Sequence, residues 1–360
     1  MLSHPVQPTC RYVSPQALVS FCVAAFVRAG MREEHAKIIA DVLVTTDTWG
    51  IYTHGSYRLA EYVQKILAGG FDMEAVPELT AEGPGWAMID GHDVHSMVSG
   101  HMAMEIAIRK ATVVGIAFAG VKHCYHLGAA GYFANMAVEH DQIGMAMSNI
   151  APFMAAPGSK GRVIGNNPFA YAAPAGREHP VMLDIAMSAA AGAKVEFAKW
   201  QGIPVPEGWM VDEEGLPTTD SSKFPDKMSL LPMAGHKGYG LALMVEILSA
   251  VLPGAGITSE VISRGAGVPD RRNSGHSFMA INIGAMMPIQ EFKDRMDRMI
   301  QRIKRSPKAK GAERIYLPGE MEWEKREAAL RTGIPLPEAT LAALSKAAKL
   351  VHMDMGDLVR

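Results

Sequence analysis

Cysteine is scarce. Cys10, Cys22 and Cys124 are the only three, with no CxxC spacing, which points to reduced thiols in a cytoplasmic protein rather than a disulfide framework. Neither sign of charge is in excess: 35 basic residues against 37 acidic ones leave a formal −2. That balance offers no electrostatic reason for nucleic acid or an anionic membrane as partner. The start, MLSHPVQPTCRYVSP, has neither the charged flank nor the apolar run of a signal peptide. The longest apolar stretch, GLALMVEILSAVLPGAG, is interrupted by Glu246 and stopped by Pro253, too short to span a bilayer. Signature loops are missing as well. No GxGxxG follows a strand pattern, since the GAG at 254–256 and that at 265–267 both lack the third glycine. No Walker lysine loop, GxSxG elbow or HExxH occurs. A Rossmann dinucleotide domain is disfavoured.

What is present has the make-up of a globular enzyme, 48% apolar and 20% charged over 360 residues, enough for a large core in two or three lobes. The 25 methionines read as adaptable core filler. Residues 14–70 read as helical. Ser14 and Pro15 form an N-cap pair before ALVSFCVAAFVRAG, then come EEHAKIIADVLVTTDTW and, after Arg58, RLAEYVQKILAGG. From 86 to 200 the pattern is mixed: WAMIDG, GIAFAGVKH, IGMAMSN and VMLDIA look like short buried strands, with helices at HMAMEIAIRKA and AAGYFANMAVEH. Residues 201–235 read as an irregular connection. GHKGYGLALMVEIL opens a long apolar helix, SFMAINIG is a strand, and the C-terminal segments IQEFKDRMDRMIQRIKRS, EMEWEKREAALRTG and ATLAALSKAAKLVHM are helical. The basic run at 298–314 follows acidic residues and interleaves no aromatic, so it reads as a solvated helix face.

Five stretches carry possible chemistry. HCYHLGAAGYF (123–133) sets His123 and His126 three apart before a glycine turn. It offers two zinc ligands, an anion-binding turn at a helix start, or a proton donor beside one. GIYTHGSYRLAEY holds Thr53, His54 and Arg58 near the start of the third helix. The four-residue spacing there predicts that His54 and Arg58 share a face. Arg58 presents a fork that suits a carboxylate, or a structural ion pair. GRVIGNNPFAYAAP signals a tight turn with exposed backbone. In VMLDIAMS, Asp184 accepts hydrogen bonds from a sugar or from its own backbone. PMAGHKGYGLAL brings Lys237 to a helix start, where it suits a phosphate or simply solvent.

Taken in this order, from THGSYRLAEYVQKILAGG through HLGAAGYFANMA, GNNPFAYAAP and LDIAMS to VPEGWMVDEEGLPTTD, GHKGYGLALMVEILSAVL and YLPGE, the stretches resemble the malate/L-lactate dehydrogenase family of the non-Rossmann kind. Relatives in that family include ureidoglycolate, sulfolactate, 2,3-diketo-L-gulonate and Δ1-piperideine-2-carboxylate oxidoreductases. The resemblance implies a mixed α/β fold with helical N- and C-terminal parts, built as a dimer. Its divisions would be a helical part at 1–80, a cofactor- and substrate-binding region at 81–285, and a helical part at 286–360 packing back on the first. By matching position it implies His126 as proton donor or acceptor, with His54 and Arg58 lining the substrate pocket beside Thr53. It also implies cofactor contacts at Asp184, Ile185, Ala186 and Lys237, and more loosely at Asn149, Pro318 and Gly319. Departures from the family pattern are Thr53 for a serine, HCYH for NSxH, GNNP for GTNP and AMS for ATS. All bear on the substrate more than on the chemistry.

The expected function is therefore NAD- or NADP-dependent hydride transfer to or from a small 2-oxo or 2-hydroxy acid such as malate or lactate. The nicotinamide supplies the hydride, a histidine the proton and Arg58 the carboxylate anchor. Reduction of a cyclic imino acid follows the same logic. Readings from other classes are a non-catalytic binding protein that kept the fold and a metal-dependent hydrolase or lyase. With no third or fourth ligand near His123 and His126, no metal is expected.

Overall fold

The computed structural model describes residues 10–262, 271, 273–356 and 358; the GAG at 265–267 lies outside the described residues. The chain opens with strand β1 (Arg11–Val13) and helices α1 (Pro15–Arg28) and α2 (Glu33–Thr48). Ser14 caps α1, its hydroxyl accepting from the Ala17 N–H at 3.5 Å, with Pro15 in the first turn. Next come two 3₁₀ turns, Tyr52–His54 and Ser56–Arg58, before α3 (Leu59–Leu67). The expected shared helix face of His54 and Arg58 is thus corrected. Gly55 lies against the end of α2, where a Cβ would sit 1.8 Å from Asp47 Oδ1. The Ser56 N–H donates to Asp47 Oδ2 at 2.9 Å. Only glycine allows this approach, and its extended ψ of −150° interrupts the helix between the two side chains.

A mixed α/β core follows. In chain order it contains β2 (Glu78–Gly83), β3 (Trp86–Asp90), α4 (Ser96–Val114), β4 (Ile116–Cys124), α5 (Ala130–Met136), β5 (Gln142–Ser148), β6 (Phe169–Ala173) and β7 (Val181–Ile185). After it come α6 (Gly192–Gln201), β8 (Met210–Val211), β9 (Pro217–Thr218), β10 (Ser229–Leu230), α7 (His236–Glu246) and β11 (Ser274–Asn282). The seven-stranded sheet has the order β2-β3-β4-β11-β5-β6-β7. Only β3 and β4 pair in parallel, joined through α4, and every other neighbour is antiparallel. This sheet has no run of parallel strands of the Rossmann type, in keeping with the missing glycine fingerprint. Helix α4 covers β3, β4 and β11, and α5 covers β5 to β7.

The region 201–235 is more ordered than its Pro, Gly and Asp content implies. It holds a small sheet of order β10-β8-β9 over a second core that includes Met154, Val195, Met210, Phe224 and Leu230. The chain ends with α8 (Ile289–Lys304), α9 (Glu320–Thr332), β12 (Ile334–Leu336) and α10 (Glu338–Leu350). Strand β12 pairs with β1, α9 packs on α2, and α10 on α3. Helix α8 instead meets the loop after β6, where Asp297 accepts from the N–H groups of Gly176, Arg177 and Glu178. Part of the basic run is spent on acids: Lys304 pairs with Glu178 and Glu320, and Arg314 with Glu320 and Glu324. No helix among the described residues is long and apolar enough to cross a membrane.

Candidate active site

The glycine turn after β4 separates its two histidines. His123, in the left-handed region at φ 52°, places Nδ1 2.8 Å from Asp90 Oδ1. Cys124 is buried and free, its thiol pushed up to about 12 chiefly by burial. Among the described residues no group of three or more His, Cys, Asp or Glu side chains is placed to hold a metal ion. His126 goes the other way, toward α3.

There it meets a stripe that the sequence analysis missed. Glu61, Tyr62 and Lys65 follow Arg58 at the i, i+3, i+4, i+7 spacing of one helix face, and this stripe of polar groups was the available signal. His126 Nδ1 lies 2.6 Å from the hydroxyl of fully buried Tyr62. The His54 and His126 rings are 5.5 Å apart. Thr53 Oγ1 sits 3.0 Å from His54 Nδ1, and Arg58 donates from Nε to the Thr53 carbonyl at 2.6 Å. Arg58 Nη1 also bonds Glu61 Oε2 at 3.1 Å, so the ion pair foreseen as an alternative exists. Glu61 accepts in turn from the Tyr125 hydroxyl at 3.2 Å, and Lys65 Nζ stands 4.5 Å from the Tyr125 ring centroid. Burial, then the Arg58 charge, pushes His54 down to about 4. His95 packs edge-on against Tyr62 with centroids 4.5 Å apart, and burial pushes it down to about 3.

A second constellation runs along β7 and its extension. Asp184 accepts from the Gly131 N–H at 2.7 Å, and burial raises its carboxyl to about 6. A Cβ on Gly131 would come within 3.1 Å of that carboxylate. The Pro318 carbonyl accepts from the Met182 N–H at 3.1 Å, and Gly319, at φ +85°, would bring a Cβ 2.7 Å from the Met182 carbonyl. Past β7, the Met187 N–H donates to the Asn166 carbonyl, and the Met233 N–H to the Met187 carbonyl. Those bonds seat the GNNP turn and the start of α7 beside Ile185 and Ala186. Lys237, at that start, is exposed.

Two expectations change here. The GNNP turn is packed rather than open, because Asn167 is fully buried. Asn149 is also fully buried. Its Nδ2 donates to Glu246 Oε1 and the Gly256 carbonyl, and its Oδ1 accepts from the Gly275 N–H. Its amide holds the protein together instead of facing a ligand.

The model of the malate/L-lactate dehydrogenase family matches residues 13–345. The chain belongs to that family. A malate dehydrogenase of Pyrococcus abyssi (strain GE5 / Orsay) is 40% identical over 343 residues, 93% of each chain. A solved sulfolactate dehydrogenase from Methanocaldococcus jannaschii superposes with a TM-score of 0.89 at 34% identity, over 97% of this chain and 100% of that one. A Δ1-pyrroline-2-carboxylate/Δ1-piperideine-2-carboxylate reductase of Pseudomonas putida is 29% identical across 96% of this chain and 99% of its own. The protein is an oxidoreductase of the malate/L-lactate dehydrogenase family, and the reading as a non-catalytic scaffold falls. Its residues fit a nicotinamide cofactor: Gly131 and Gly319 bring backbone close against β7, Asp184 accepts from the Gly131 N–H, and an exposed lysine stands at a neighbouring helix start.

Proposed function

We propose that the chain interconverts a small 2-oxo acid and its 2-hydroxy acid, malate and lactate being the model products, with NAD or NADP as partner. The observation that carries this reading is the meeting of His126, His54 and Arg58 at one end of the turn whose other end is bound to Asp184. When bound, the nicotinamide exchanges a hydride with C2.

The chain's own residues supply the rest. Arg58 spends one N–H on the Thr53 carbonyl and one on Glu61, leaving the remainder of its five donors for a substrate carboxylate. His126, whose Nδ1 lies against the Tyr62 hydroxyl, is the group that exchanges the proton with the substrate oxygen, giving one in reduction and taking one in oxidation. His54, neutral above about 4, is a poor donor at neutral pH and serves as a hydrogen-bonding wall of the pocket, held by Thr53. Asp184, Ile185, Ala186, Lys237, Pro318 and Gly319 hold the cofactor.

A homodimer and a cytoplasmic location belong to the same proposal, with no nucleic acid or membrane as partner. Support for the dimer comes from α7 and the turn after it, where Leu241, Met244, Ile247, Val251 and Leu252 are 37–56% exposed, an apolar face that a second copy would cover. A second reading, reduction of a cyclic imino acid, is favoured by the likeness to the Pseudomonas putida reductase; Arg58 and His126 would act there on a C=N bond. The test is NADH and NADPH oxidation over oxaloacetate, pyruvate, other 2-oxo acids and Δ1-piperideine-2-carboxylate. Turnover of a 2-oxo acid with the highest kcat/KM supports the first reading. Turnover of the imino acid alone replaces it with the second.

A further inference from the structure

The Tyr62 hydroxyl lies 2.6 Å from His126 Nδ1, and its side chain has no exposure to water. Its ring is fixed from behind. His95 packs against it edge-on at 4.5 Å, and His95 is itself fixed, because its Nδ1 accepts from the Met97 N–H as the cap of α4. Helix α3, which carries Tyr62, packs against α10. The phenol therefore arrives at the imidazole on a rigid support, with its rotamer decided by packing rather than by the hydrogen bond.

Resting on the reading of His126 as the proton carrier, we infer that Tyr62 is its positioning residue, holding the ring in place and stabilising the imidazolium by accepting from Nδ1–H. A hydroxyl suits this place better than a carboxylate or an amide. It accepts from Nδ1–H most strongly when the ring is charged, and it does so without adding a charge of its own. The surrounding charged and titratable groups are His54 and Arg58 from the 3₁₀ turns, Glu61 and Lys65 from the same helix, Tyr125 beside the turn, and His95 from α4. Each of these remains in Tyr62→Phe, so that substitution isolates the hydroxyl.

The experiment joins a titration that needs no activity to one that does. Protein labelled with ¹³C in its histidine rings is titrated by NMR, the His126 signal being identified by its loss in His126→Gln. In Tyr62→Phe the imidazolium loses its acceptor, so the His126 midpoint moves down by about one pH unit, a tenfold change in protonated fraction. Reduction needs protonated His126. Its rate, which declines as pH rises through that midpoint, should decline at correspondingly lower pH in the variant, with kcat down about tenfold at neutral pH and the KM for NAD(P)H unchanged. Fluorotyrosine at position 62 keeps shape and hydroxyl but accepts more weakly, and should move the midpoint the same way by less. It also covers the case of a Tyr62→Phe protein that does not fold. An unmoved His126 midpoint in a folded variant overturns the inference. A moved midpoint with an unmoved rate profile leaves the Tyr62–His126 coupling standing and removes His126 from proton transfer.

Discussion

Single side chains divide the work of the site between chemistry and anchoring, and the division is measurable. If His126 transfers the proton in the transition state, His126→Ala should lower kcat by about 10²–10⁴ and leave cofactor binding intact. On the proposed reading, Arg58 holds the carboxylate in ground and transition states alike. Arg58→Ala should chiefly raise KM, by roughly ten- to a hundredfold for a charge-assisted contact of ~1.5–3 kcal/mol. Arg58→Lys should recover only part of this, since an ammonium cannot reproduce the fork. Steady-state kinetics with circular dichroism to confirm folding checks all three. A folded His126→Ala enzyme with unchanged kcat would move the proton to His54, already held by the Thr53 hydroxyl.

At the scale of elements, the joint between α2 and α3 has its own pH signature. Asp47 is buried at the end of α2, accepts from the Ser56 N–H, and is raised to about 7 by burial. Its folded value exceeds the unfolded one near 3.9, so the native state holds the extra proton between about pH 4 and 7 and loses stability as pH rises through that window. Asp47→Asn should be spared that loss. The melting temperature of the variant relative to the parent should therefore climb from pH 4 to pH 7, and a difference that stays constant would contradict the assignment. This joint also marks where sequence reading failed. The spacing of His54 and Arg58 gave no sign of the contact between Gly55 and Asp47, which is made across eight residues of chain and broke the expected helix. Strands β3, β4, β5, β7 and β11 were legible because they are apolar runs. Strand β2 was not, being a polar and largely exposed edge; β6 is alanine-rich FAYAA, and β1 and β12 are three residues each, defined only by pairing across the chain. The motifs located His126, Asp184 and Lys237 through glycine and strand context, whereas Tyr62 and Glu61 stayed hidden because a helix stripe does not announce which turn it faces.

For the whole molecule, the proposed dimer rests on the apolar face of α7. Sedimentation at micromolar concentration should give twice 38.8 kDa, and Ile247→Glu with Val251→Glu should shift the mass toward the monomer. A monomer in the parent protein would sink the dimer. The central claim is that hydride passes directly between a nicotinamide and C2 of a small acid held by Arg58 and protonated by His126. The most direct measurement supplies NADH or NADPH carrying deuterium on the transferred face of C4 to the enzyme with its best 2-oxo acid, and reads the product by mass spectrometry and NMR. The account predicts one deuterium, bound at C2 of the 2-hydroxy acid, with none exchanged to water. A product formed without deuterium at C2 would contradict it.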